Sequence, residues 1–136
     1  MRPQPLICVA DVPQSSSWFQ RVLGLTGAHG GPEYEQLTSD GQLVLQLHAW
    51  EVHEHAHLGD PELRPYGNGA VLWFESDQIE HDFARATMAG AMVLEPLHLN
   101  PLANHLEFWL QEPNGYVVVV ASPYGHTATS SAVSAA

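Results

Sequence analysis

Leu6-Ile7-Cys8-Val9-Ala10-Asp11 is an apolar run that ends on Asp, and Pro13 to Leu23 and then Gly24 follow it. Ala70-Val71-Leu72-Trp73-Phe74-Glu75-Ser76-Asp77 repeats the arrangement, followed by Gln78 to Ala89 and then Gly90. In both copies the Gly stands thirteen residues after the Asp. Each copy then reaches a turn, Ser39-Asp40-Gly41 or Glu112-Pro113-Asn114-Gly115, and a further apolar strand, Leu43 to Leu47 or Tyr116 to Ala121. A repeat at this length decides the fold before any local pattern does. Two βαβββ modules predict an α+β fold, a cupped mixed sheet with helices on its outer face.

The punctuation agrees with that division. In the first helix Pro13 lies in the first turn, Ser or Asp supplies the cap, and Gly24 ends it. Its stripe is Trp18, Phe19, Val22 and Leu23. In the second helix Asp77 is the expected cap, with Glu80 as its capping-box partner. Ile79, Phe83, Ala86 and then Met88 or Ala89 are expected to point inward, and Gly90 ends the helix. We read a single domain over residues 1–125, with modules at about 4–48 and 69–122. Residues 49–68, with Pro61, Pro65 and Gly67, form the linker, and 126–136 a flexible tail.

Composition narrows the function classes. The chain has 136 residues, enough for one core, and no apolar run near the roughly 20 residues that span a bilayer. Four basic residues against fifteen acidic ones give a net charge of −11. That excludes nucleic acid and anionic membrane as natural partners, because both demand basic neutralisation. It favours a cationic ligand. Met1-Arg2-Pro3-Gln4-Pro5 carries no apolar signal region, and Cys8 is the single cysteine, so a cytoplasmic location is expected.

Strand alternation assigns faces. Leu43, Leu45 and Leu47 share one face, and Val44, Gln46 and His48 the other. Leu106, Phe108 and Leu110 oppose His105, Glu107 and Trp109, while Val71, Trp73 and Glu75 oppose Ala70, Leu72 and Phe74. The helices must cover the purely apolar faces. The mixed faces then line a cavity with apolar walls and a few polar groups, as small-molecule pockets do. Glu107 beside Trp109 is expected to have a raised pKa if dry, which would suit a general base or a partner for a cationic group. Trp73 and Trp109 could stack on a planar ligand or a cation. Tyr66, Asn68 and Asn104 are further polar groups at the mouth, whose shape depends on the linker and on a loop at 95–104.

Val9-Ala10-Asp11 with Trp18-Phe19-Gln20-Arg21-Val22-Leu23-Gly24-Leu25, and Phe108-Trp109-Leu110-Gln111-Glu112-Pro113-Asn114-Gly115-Tyr116, resemble the vicinal-oxygen-chelate superfamily. That superfamily includes glyoxalase I, extradiol dioxygenases, fosfomycin-resistance enzymes and bleomycin-resistance proteins. The resemblance covers about residues 4–122. It implies four metal positions on strands, which fall on Gln4, Gln46, Val71 and Val119. Two amides and two valines make a poor donor set for a hard or borderline cation. The pattern is closest to metal-free bleomycin-resistance-like members, with no cofactor.

The resulting expectation is a non-catalytic small-molecule-binding homodimer for sequestration or resistance. Its pocket would use Gln46, His48, Val71, Trp73, His105, Glu107, Trp109 and Val119, for a planar or cationic ligand. The alternative is a lyase, isomerase or dioxygenase dependent on nickel, zinc, manganese or iron. Its displaced site would draw on Gln4, Gln46, His48 and His105, with Glu107 as the candidate catalytic group. A metal-free enzyme with Glu107 or His105 as base is a third reading. His53, His55 and His57 alternate in the linker and are expected to face solvent.

Overall fold

A computed structural model describes residues 2–50, 60–62 and 70–127. The chain divides into two compact units, 1–66 and 67–136.

In the first unit β1 (Leu6–Val9) leads into α1 (Val12–Leu23), then β2 (Thr26–Gly30), β3 (Tyr34–Ser39) and β4 (Gln42–Ala49). The sheet order is β1-β4-β3-β2, with β1 parallel to β4 and the remaining pairs antiparallel. Asp11 caps α1 by accepting from the Gln14 N–H at 2.9 Å, which satisfies an amide that has no partner within the helix. Gly24 closes α1 at φ 71°, a left-handed turn that glycine adopts without a Cβ clash. Val12, Trp18, Phe19 and Val22 are buried, as are Leu37, Leu45 and Leu47 on the strands. Leu23 is only partly buried.

The second unit repeats this plan with β5 (Leu72–Glu75), α2 (Ile79–Met88), β6 (Met92–Asn100), β7 (His105–Gln111) and β8 (Val117–Ala121). Its order is β5-β8-β7-β6, with β5 parallel to β8. The two sheets are thus the same βαβββ circuit, an α+β architecture. Phe83 of α2 meets Phe108 of β7 with ring centroids 5.1 Å apart, which fixes the face that the helix covers.

Local expectations fail in several places. Asp77 is not the cap of α2: the cap position is Gln78, without a side-chain bond to the helix. Ser76 Oγ accepts from the Gln78 N–H at 3.0 Å, just ahead of the helix, and donates to Asp82 in its first turn. Met88 is 90% exposed, because helical rotation sets it opposite the stripe of Ile79, Phe83 and Ala86, whereas Ala89 is partly buried. Val71 precedes β5 instead of lying in it. Residues 95–100 are strand, not loop. Pro96 and two register shifts, at Val93/Glu95 and Glu95/His98, hide the alternation of β6.

Candidate functional site on the second sheet

β7 builds the site. Leu106, Phe108 and Leu110 are buried on the helix side. Alternation turns His105, Glu107 and Trp109 to the opposite face. The ladder then sets their neighbours: Asn100, His98 and Glu95 of β6 lie across from His105, Glu107 and Trp109. On the other side Ala121 and Val119 of β8 lie across from Glu107 and Trp109, and Trp73 of β5 lies across from Val119.

Glu107 is the hub and is 2% exposed. Its Oε1 accepts from Asn100 Nδ2 at 2.7 Å and from His105 Nε2 at 2.9 Å, and its Oε2 accepts from Trp109 Nε1. Asn100 is itself oriented, because its Oδ1 accepts from the Leu102 and Ala103 N–H groups at 3.0 and 3.3 Å. Its amide nitrogen must therefore face Glu107. Burial pushes the Glu107 carboxyl up. The bonds from Trp109, Asn100 and His105, with the His105 charge, outweigh it and hold the group below its ordinary value. The expected raised pKa is thus reversed, since dryness is offset by three donors.

This network separates the roles of its members. Glu107 bonds both His105 and Trp109 and so fixes their orientation, and a carboxylate with three donors is a weaker proton acceptor than a free one. With Nε2 engaged by Glu107, Nδ1 is the ring nitrogen of His105 left for other contacts. Its ring lies 5.7 Å from that of Trp73, which is 49% exposed.

A second group adjoins the first. His98 Nδ1 lies 2.7 Å from the Pro96 carbonyl and must donate to it, so Nε2 turns toward the carboxylates. That nitrogen is 3.8 Å from Glu95 Oε2 and 3.9 Å from Glu107 Oε2. Ligand atoms of Glu95, His98 and Glu107 all lie within 4.8 Å of one another, the geometry of a possible cation site.

In the first unit Gln46 is consumed by local bonds. Its Oε1 accepts from Tyr34 Oη at 2.6 Å and its Nε2 donates to the Gln4 carbonyl at 2.9 Å. Gln36 Nε2 donates to the same Tyr34 hydroxyl at 3.1 Å. His48 lies across from Tyr34, with ring centroids 6.1 Å apart, and its Nδ1 is 2.6 Å from the Ala49 carbonyl. Three of the four positions implied by the resemblance offer a metal no free donor. Gln46 has both amide ends occupied, Val119 is a fully buried apolar residue, and Val71 has no ligand atom.

Trp73, His105, Glu107, Trp109 and Val119 thus share one sheet face. Gln4, Gln46 and His48 belong to the first unit, and Val71 lies just before β5. His53, His55, His57, Tyr66 and Asn68 lie outside the described residues. Asn104 holds a left-handed turn at φ 54°, and its carbonyl accepts from the Gly125 N–H. Sequence reasoning missed Tyr34, Gln36, Glu95, His98 and Asn100. The alternation Tyr34-Glu35-Gln36-Leu37-Thr38 signalled the first pair, whereas Pro96 masked the others.

The family model for the Glyoxalase/Bleomycin resistance protein/Dioxygenase superfamily matches residues 3–120. The chain belongs to this superfamily. Among solved structures it is similar to TioX from Micromonospora sp. ML1, at 17% identity and TM-score 0.66, covering 90% of this chain and 98% of that one. A glyoxalase/bleomycin resistance protein/dioxygenase family enzyme from Burkholderia phytofirmans PsJN aligns at 18% identity and TM-score 0.71, covering 88% and 96%. A glyoxalase-related enzyme from Fulvimarina pelagi aligns at 16% identity and TM-score 0.68, covering 90% and 88%. At these identities the likeness is one of fold. No curated protein matches the chain.

Proposed function

We propose that this protein binds a planar or cationic small molecule without changing it, in a sequestration or resistance role that needs no metal. One observation carries the reading: the Glu107 carboxylate takes three donors, from Asn100, His105 and Trp109, which hold it below its ordinary pKa, beside a half-exposed Trp73. Such a fixture presents indole and imidazole rings in fixed orientation to a ligand, and it is poorly suited to taking a proton. The net charge of −11 draws a cation toward it. The test is tryptophan quenching with metal-free bleomycin and with planar cationic dyes. Trp73→Ala should weaken binding by about 1–3 kcal/mol if the ring stacks on the ligand. Unchanged affinity in that variant would remove Trp73 from the site. Trp109→Ala is a poorer probe, since it also strips a donor from Glu107.

The protein would act as a cytoplasmic homodimer. The single Cys8 is buried, and Met92, Leu94 and Leu99 are exposed along the edge strand β6. Sedimentation should then give twice the 14.9 kDa chain mass, and a monomer at micromolar concentration would count against the pairing.

The Glu95–His98–Glu107 cluster favours a second reading, a lyase, isomerase or dioxygenase dependent on nickel, zinc, manganese or iron. One imidazole and two carboxylates are a sound donor set for such cations, which when bound supply Lewis acidity to vicinal oxygens. In that case Glu107 holds the ion, and His105 is the group left to move a proton. Elemental analysis decides: one equivalent per chain, lost in His98→Ala but kept when His53, His55 and His57 are replaced together by Ala, establishes this reading. Metal that follows the linker histidines instead is adventitious.

A further inference from the structure

Glu35 faces away from Tyr34 and Gln36, its neighbours along the strand. It lies on β3 of the first unit and borders a cleft of about 410 Å³ that also takes in Ser16, Ser17, Gln20 and Arg21 of α1 and Gly30 of β2. The volume is in the range of small-molecule sites. Glu35 Oε2 is buried and has no hydrogen-bond partner among the described residues. Buried carboxylate oxygens are rarely left this way, because the lost hydration is not replaced.

Two neighbouring donors, on Gln20 and Arg21, each hold a bond along α1. A Cβ on Gly27 would stand 3.1 Å from Gln20 Nε2 and 3.3 Å from Glu35 Oε1, so both side chains close over this glycine. Gln20 Nε2 nonetheless donates to Ser16 Oγ at 2.9 Å. Arg21 Nε donates to Ser17 Oγ at 3.4 Å. Burial pushes the Glu35 carboxyl up.

We propose that the Glu35 cleft binds the protonated nitrogen of a small organic amine, with the Glu35 carboxylate turning Oε2, sealed from water in the free protein, out to accept from the ammonium and the Ser16 and Ser17 hydroxyls at hand for its remaining donors. A charged donor is the natural match for a carboxylate with one oxygen left unbonded, and the acidic chain raises the local cation concentration. Arg21 at the same cleft disfavours a polycation, so the ligand is a monocation or a zwitterion.

The test is an amide-resolved NMR titration of the full chain with n-butylammonium chloride, with spermidine, and with sodium chloride at matched ionic strength. Saturable shifts at Ser16, Ser17, Gln20, Gly30 and Gly31 are expected with n-butylammonium, and weaker ones with spermidine. Glu35→Gln should reduce the affinity at least ten-fold. Gly27→Ala, whose methyl crowds Glu35 Oε1, should reduce it too, and it decides the matter if Glu35→Gln disturbs the fold. Trp73→Ala should leave the response intact, so failure here is distinct from failure of the second-sheet site. Shifts that track ionic strength alone, spermidine binding as tight as the monocation, or equal affinity in the Glu35 and Gly27 variants would overturn the proposal.

Discussion

Glu107 and Glu112 are both buried, and their surroundings push them in opposite directions. For Glu112 burial raises the carboxyl more than the bonds from Asn114 and Tyr116 lower it. A depressed acid stabilises the fold above its unfolded pKa, about 4.3, and loses that contribution as pH falls through the folded value. A raised acid does the reverse, its contribution fading as pH rises through the folded value. Glu107→Gln should cost about 1.5–3 kcal/mol at pH 7, because it leaves charged-group bonds unmade. The loss should shrink toward pH 3, and urea midpoints measured from pH 3 to 7 would show it. A constant difference across that range would mean Glu107 is not ionised. The position of Glu107 was legible in the alternation His105-Leu106-Glu107-Phe108-Trp109-Leu110. The direction of its pKa was not, since one donor, Asn100, comes from a strand that Pro96 concealed.

At the scale of elements, the two helices differ in how they start. Asp11 caps α1, and Asp11→Ala should cost about 1 kcal/mol. By analogy of sequence Asp77 would behave alike, yet it is exposed and the helix begins two residues later. Asp77→Ala should therefore be close to neutral, while Ser76→Ala, which removes the acceptor of the Gln78 N–H and a bond to Asp82, should cost about 1 kcal/mol. Thermal melts of the three variants check the ranking, and equal losses at Asp11 and Asp77 would contradict it. Helix stops were easier to read than starts. Gly24 and Gly90 take left-handed angles that other residues avoid, whereas Ser and Asp compete for neighbouring cap positions. The hairpin before β8 follows the same logic: Glu112 accepts from the Asn114 and Tyr116 N–H groups and from Asn114 Nδ2, fixing the Glu112-Pro113-Asn114-Gly115 turn.

For the whole molecule, duplication is what made the architecture legible. The two sheets have corresponding strand orders, β1-β4-β3-β2 and β5-β8-β7-β6, although their residues differ. The superfamily match over residues 3–120 agrees with that reading. The site was half legible: alternation gave β7 and Trp73 their shared face, but the β6 partners His98, Asn100 and Glu95 needed the bulged register to be seen. Among the described residues no helix is long and apolar enough to cross a membrane. Binding of a cation to a chain of net charge −11 should weaken as ionic strength rises, and a salt-independent affinity would mean the ligand is held by stacking alone. The central claim, metal-independent ligand binding at the Trp73–His105–Glu107 face, is tested most directly by tryptophan quenching on chelator-treated protein, wild type beside Trp73→Ala. We expect saturable quenching that survives chelation and loses at least five-fold in affinity in the variant, whereas quenching that vanishes with the chelator and returns with added metal would contradict the account.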